Sequence, residues 1–277
     1  MLKIAMILVA TCAALGVADK EQADLKIAEA IDHEMRQLKE LPDDARALAI
    51  KNLAARIRQQ PARYAIALAE NLAVDGTEGS GHDILQAIAD TILFVLPNAP
   101  PQIAGTAYST LADLARYSGV RVTLNAPEYS AALLELDADD KLRSDADFKL
   151  KDIEGGEWTL KGLRGKFVLV NFWATWCPPC RREVSDLQTL CARFKERGLV
   201  VLAISDEDTA TLKHFAAGQN LNYPVLLDPG QVARGAFRVT GIPASFVYDR
   251  SGKLVAQALT RPNMQRFLEM LGDAGLR

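Results

Sequence analysis

Histidine and cysteine are scarce in this 277-residue chain, with three of the first and four of the second. His33, His82 and His214 lie far apart and no second Cys pair accompanies Cys177 and Cys180, so two thiolates would have to find further ligands before they could hold zinc or copper. No metal is therefore expected. Basic residues are not in excess: 32 Lys and Arg face 35 Asp and Glu, for a net charge of −3, and no basic stripe interleaved with aromatics occurs, which argues against nucleic acid as a partner. No glycine-rich loop is set to cradle a phosphate, and no cofactor is expected. No apolar stretch reaches the about 20 residues that span a bilayer, and no period repeats along the chain.

What is present is an ordinary globular balance, 49% hydrophobic and 24% charged, long enough for two domains at roughly 100–200 residues each. Lys3 followed by an apolar run over residues 4–17, with small residues at Gly16 and Ala18, reads as a signal peptide over residues 1–18 cleaved before Asp19. A buried first helix is the alternative. Cys12, behind Leu8-Val9-Ala10-Thr11, loosely matches a lipoprotein box, although Thr11 suits it poorly. Removal of the segment would leave Cys177, Cys180 and Cys191. Three cysteines make no disulfide framework, and one close pair plus one remainder points to redox chemistry or metal binding.

Residues 19–143 read as an all-α helical domain. Leu25, Ala28, Ile31, Met35 and Leu38 form one helical stripe; Ala45, Leu48, Ala49, Leu53 and Ile57 form the next, behind the start signal Pro42-Asp43-Asp44. Pro61 opens a third helix running through Val74. A fourth carries Ile84, Leu85, Ile88, Ile92 and Val95, and a fifth carries Ile103, Ala107, Leu111 and Leu114 and stops at Gly119. A further helix is predicted over residues 126–143. The charged run at residues 137–145 is a linker or a solvated helix end. Residues 144–277 change pattern. Apolar strands at residues 168–173 and 200–204 and a short one at 225–227 alternate with helices over residues 178–197, 208–218 and 231–237. Strands at 245–248 and 254–257 flank the turn signal Arg250-Ser251-Gly252-Lys253, and a last helix covers 262–271. This alternation predicts an α/β sheet with helices on both faces.

The chemistry resides in Trp176-Cys177-Pro178-Pro179-Cys180, at a strand-to-helix junction. Cys177 falls at the helix N-cap and Cys180 at the third helical position, close enough to bridge. The cap position exposes the Cys177 sulfur to the positive end of the helix dipole, which favours the thiolate nucleophile. Pro178 at the first helical position forfeits no needed hydrogen bond. Cys180, turned inward, would resolve a mixed disulfide. A purely structural bridge, a metal site and a pair of inert core cysteines are the competing readings.

The stretch Phe172-Trp173-Ala174-Thr175-Trp176-Cys177-Pro178-Pro179-Cys180 resembles the active site of the thioredoxin superfamily, and within it the TlpA/ResA-like branch of extracytoplasmic thiol-disulfide oxidoreductases. The resemblance covers residues 147–271, including the lead-in Phe148-Lys149-Leu150-Lys151-Asp152, an inserted strand-helix unit over residues 199–227, and Gly241-Ile242-Pro243. It implies a thioredoxin-like fold behind the helical domain. Where cytoplasmic thioredoxins carry a buried Asp, this chain has Asn171; the branch places a buried Glu three residues after the second Cys, here Glu183, able to trade protons with Cys180. A surface carboxylate favourable near the helix N-terminus is the other reading of Glu183. Pro243 matches the cis-proline of the fold, which leaves the backbone of Ile242 free to pair with an extended substrate. Trp176 and Trp173 would frame the site. Val184-Ser185 departs from the apolar-Pro pair of the branch and leaves the helix bend open. Cys191 lies on the stripe Val184, Leu187, Leu190, Cys191, Phe194, as a buried small hydrophobe or a third redox cysteine. The Pro-x-x-x-Thr-x-x-Cys pattern of the peroxidase relatives is absent.

The expectation is a periplasmic or secreted enzyme that reduces protein disulfides, fed by a membrane or periplasmic electron donor and free of any cofactor. A net oxidant or isomerase of the same fold is the rival. A binding or assembly module working through the helical domain is a reading from another class.

Overall fold

A computed structural model describes residues 2–100 and 104–277, with side chains from residue 19 onward. The signal-peptide and lipoprotein-box readings concern side chains of residues 1–18, and Ile103 opens the expected fifth stripe; these lie outside the described residues. Among the described residues six α-helices come first: α1 (Leu2–Arg36), α2 (Asp43–Ile57), α3 (Ala62–Gly76), α4 (His82–Val95), α5 (Gly105–Ser118) and α6 (Pro127–Asp145). Ile31, Met35, Ile66, Leu72, Ile88 and Leu111 pack into one core between them. Three stripe positions turn outward: Leu25 is 41% and Leu48 63% exposed, and Ala45 is exposed as well. In α2 the buried line runs through Arg46, Ile50, Leu53 and Ile57 instead, because the long Arg46 side chain lies along the core and its guanidinium meets Asp43. Gly119, at φ 67°, closes α5 in the left-handed conformation that glycine adopts freely. The charged run at residues 137–145 is the end of α6 rather than an extended linker.

The remainder is a mixed seven-stranded sheet of β1 (Lys149–Asp152), β2 (Glu157–Thr159), β3 (Phe167–Phe172), β4 (Leu199–Ser205), β5 (Val225–Leu227), β6 (Ala244–Tyr248) and β7 (Leu254–Ala258), in the order β2-β1-β5-β4-β3-β6-β7. β3, β4 and β5 are parallel, β6 runs antiparallel to β3, and β7 pairs antiparallel with β6 as a closing hairpin. Four helices complete the domain: α7 (Pro178–Phe194), α8 (Thr209–Gln219), α9 (Val232–Ala236) and α10 (Met264–Asp273). Side chains alternate along β3: Phe167 and Leu169 join a core with α7, α8 and α10, whereas Val168, Val170 and Phe172 join one with α9, Phe237 and Phe246. This two-faced burial explains the continuous apolar run. The β1–β2 hairpin escapes a hydrophobic reading because Lys149, Lys151 and Glu157 are exposed; it turns on Asp152, whose carboxylate accepts from Glu154 N, Gly156 N and Trp158 Nε1. Among the described residues no helix is long and apolar enough to cross a membrane.

The two parts are joined by polar contacts. Arg143, buried at the end of α6, donates from Nε to Phe237 O at 3.2 Å and from Nη1 to Tyr117 Oη at 2.9 Å, and Tyr248 Oη donates to Arg143 O at 3.2 Å. Glu78, in the turn between α3 and α4, accepts from Arg182 Nε at 3.0 Å and pairs with Arg261 Nε at 3.3 Å. Gly79 N donates to Arg261 O at 2.8 Å. Gly79 has φ 68°, and a Cβ there would sit 2.5 Å from Arg261 Nη2, so this close approach requires glycine.

Candidate active site

Strand β3 delivers the chain to the reactive loop at residues 173–177. Trp173 N donates to Ile204 O at 3.1 Å and continues the ladder for one residue. Thr175 is fastened by Glu207, which accepts from Thr175 N at 2.7 Å and from Thr175 Oγ1 at 2.6 Å. Nothing in the sequence pointed to Glu207. The chain then turns into α7 with Cys177 at the N-cap and Pro178 at the first helical position. Cys177 and Cys180 form a disulfide with their Cα atoms 5.3 Å apart, within the ordinary range for such a bridge. Cys177 Sγ accepts from Cys180 N at 3.3 Å. Cys180 is wholly buried and Cys177 is 3% exposed. Of the two, only Cys177 keeps any exposure.

The Ile242–Pro243 bond is cis, and Ile242 O lies 3.9 Å from Cys177 Sγ. β6 begins at Ala244, so the sheet itself holds this loop against the disulfide. Trp176 is 68% exposed and stands at the rim. Trp173 is buried, its ring 5.1 Å from that of Phe215 between centroids, and belongs to the core.

Glu183 follows Cys180 by three residues and is completely buried, which excludes a surface carboxylate. Its Oε1 accepts from Asn171 Nδ2 at 2.8 Å, and Asn171 Nδ2 also reaches Ser245 Oγ at 3.1 Å. Asn171 and Ser245 are direct partners across β3 and β6 on the α7 face, a polar pair set into an otherwise apolar surface. Glu183 Oε2 has no partner among the described residues. Burial pushes the Glu183 carboxyl up to about 8, against the lowering influence of the Asn171 hydrogen bond and the Arg261 charge. A group titrating there can take up and release a proton near neutral pH. Cys191 is buried, with Sγ 3.3 Å from Asn222 O, and its thiol pKa is raised by burial. That is the environment of an inert thiol rather than a reactive one.

A barely exposed sulfur at a helix N-cap, a wholly buried partner sulfur, the carbonyl preceding a cis-proline beside them and a buried titrating carboxyl define a thioredoxin-fold thiol-disulfide oxidoreductase. Comparison with known proteins agrees. The sequence model of the AhpC/TSA family matches residues 143–257. Thiol-disulfide oxidoreductase ResA of Bacillus thuringiensis (strain Al Hakam) is 36% identical over 128 residues, covering 45% of this chain and 74% of the relative. The ResA protein of Geobacillus kaustophilus (strain HTA426) is 33% identical over 129 residues, with the same coverage of 45% and 74%. Among solved structures, a thiol:disulfide interchange protein from Chlorobium tepidum TLS is 31% identical, covers 47% of this chain and 93% of its own, and gives a TM-score of 0.43. Through its C-terminal part, the chain belongs to the ResA/TlpA-like family of thiol-disulfide oxidoreductases.

Proposed function

We propose that the protein is a reductase of protein disulfides acting outside the cytoplasm, supplied with electrons by a membrane or periplasmic donor. The observation that carries the direction is the donor-poor cap. A thiolate on Cys177 would be held by amide N–H groups of the first helical turn, yet Pro178 and Pro179 have none, and the amide that reaches Cys177 Sγ is that of Cys180. No histidine stands between the cysteines. A weakly stabilised thiolate disfavours the reduced form and lowers the reduction potential.

In the reduced protein, the Cys177 thiolate attacks one sulfur of the substrate disulfide, and the other sulfur leaves as a thiolate. The Cys180 thiol then gives its proton to the Glu183 carboxylate and attacks Cys177 Sγ. The Cys177–Cys180 bridge forms, and the two substrate thiolates take up one proton from Glu183 and one from solvent, so that the substrate leaves as a dithiol carrying two more electrons. The donor returns two electrons and the protons to restore the pair. What supports this role for Glu183 is its complete burial three residues beyond Cys180 and its raised pKa.

Equilibration with dithiothreitol tests the direction. The expected potential lies near the roughly −270 mV of thioredoxin, and a value near the about −120 mV of the strong oxidants of the fold replaces this reading with the oxidant one. Trapping with Cys180→Ser in periplasmic extract identifies the substrates as mixed disulfides on Cys177.

A further inference from the structure

Two domains meet beside the dithiol, and they leave a cleft of about 420 Å³ between them. Its walls include Val74 of α3, Asp113 and Leu114 of α5, and Leu259, Arg261 and Thr240 of the sheet domain. Strand register fixes where the cleft opens. Ala258, which also lines it, pairs with Ser245, two residues after the cis Pro243, and Thr240 leads into the same loop. The cleft therefore lies at the reactive end of the sheet, on the side of the cis-proline loop away from β3. An ion-pair network ties its wall to the active-site helix: Arg261 pairs with Glu78, and Glu78 also holds Arg182, two residues after Cys180. A chain segment leaving Ile242 on that side enters a space walled by the helical domain.

The chemistry of the walls specifies the occupant. Val74 is 77% exposed there, an apolar side chain that no neighbour covers. Both cations are engaged, Arg261 with Glu78 and Asp43, and Arg266 with Tyr117 O at 2.8 Å and Glu269 at 3.4 Å. Asp113 is exposed within the cleft and has no ionic or hydrogen-bonding partner among the described residues. The cleft thus offers apolar surface with one carboxylate that lacks a direct partner: burial lifts Asp113 to about 6 against the distant pull of Arg143, so it is ionised at neutral pH.

We propose that this cleft seats the polypeptide substrate: an extended apolar segment next to the target cysteine, carrying a lysine or arginine that meets Asp113. The helical domain then determines which protein disulfides are presented to Cys177. This deepens the function proposed above, since it rests on the substrate being a polypeptide disulfide.

The experiment uses the full-length Cys180→Ser protein and two synthetic peptides. Each peptide has one cysteine in an apolar sequence, activated as a mixed disulfide with thionitrobenzoate; one carries a flanking lysine, the other a glutamate. The Cys177 thiolate attacks the peptide sulfur, the bond to thionitrobenzoate breaks, and the coloured thionitrobenzoate thiolate is released. The lysine peptide should react about threefold faster or more at low salt, with the ratio shrinking toward one at 1 M salt, where the Debye length is about 3 Å. Adding Asp113→Lys should invert the ratio. Adding Val74→Asp should slow both apolar peptides relative to a glycine-flanked one. Equal rates for the two charged peptides, or a ratio that Asp113→Lys leaves in place, overturn the proposal. The measurement does not depend on the direction of electron flow, so a failed reductase reading shows separately, in the potential. Circular dichroism of each variant confirms the fold, and both positions are exposed.

Discussion

Two buried polar clusters, one in the helical domain and one in the thioredoxin-like domain, are completed in different ways. In the first, Arg46 is met by Asp43, and Thr91 donates to Ala87 O at 2.7 Å while accepting from Arg58. Their polar atoms are accounted for, and they hold the bundle together. In the second, Asn171, Ser245 and Glu183 form a short chain that ends on Glu183 Oε2 without a partner. That deficit lies three residues beyond Cys180, where a proton must be passed. Arg46 and Thr91, with their partners in place, are scaffold; the shortfall at Glu183, beside the dithiol, is the one that the proposed proton transfer would use.

Four experiments test this contrast. The largest effect is expected from Cys177→Ser, which should abolish reduction of insulin disulfides and form no mixed disulfide. Persistent trapping through Cys180 would reverse the roles of the two sulfurs. Next comes Ile88→Ala in the helical core, where the side chain is wholly buried. It should cost about 2–5 kcal/mol in denaturant unfolding yet leave the reduction potential of the dithiol where it was. A shifted potential would show that the two regions are not separable in this way.

Glu183→Gln should slow exchange and remove the inflection near pH 8 from the rate profile; an unchanged profile defeats the proton-transfer role. The same variant reports on stability. Glu183 ionises at its ordinary 4.5 in the unfolded chain and at about 8 in the folded one. Between these values the folded protein holds the extra proton, so its stabilising contribution is complete below pH 4.5 and lost as pH rises through 8. The slope is at most about 1.4 kcal/mol per pH unit, and it should be absent from Glu183→Gln. The smallest effect belongs to the domain contact: a double-mutant cycle of Glu78→Gln with Arg182→Gln should give a coupling of no more than about 1 kcal/mol. A value of zero would leave Arg261 as the sole ionic tie of Glu78 to the sheet domain.

Much of this architecture was legible beforehand, unevenly. The strands at Val168, Val201 and Phe246 announced themselves because both faces of the sheet are covered, so apolar residues run without interruption. The dithiol was legible because Cys, Pro and Trp residues cluster at a strand-to-helix junction. The stripe in α2 misled at Leu48, since no periodicity shows that Arg46 would lie inward. Glu207, Ser245 and Arg261 carried no signal. Each acts through a neighbour distant in sequence: Glu207 on Thr175, Ser245 on Asn171, and Arg261 on Glu78. Spacing along one element cannot reveal a contact made between elements.

The position of Arg143 bears on modularity. The family match begins at that residue, yet its buried guanidinium joins Tyr117 and Asp140 of the helices to Phe237 O of the sheet domain, and its own carbonyl receives Tyr248 Oη. A cut at the homology boundary would sever a helix in its last turn and strip a buried cation of its partners, a loss of the order of 3–5 kcal/mol. For grafting this dithiol onto another scaffold, the segment that keeps these partners starts upstream of the homologous one, at Gly105, and takes α5 and α6 with it. The unit of descent and the unit of folding do not share an edge.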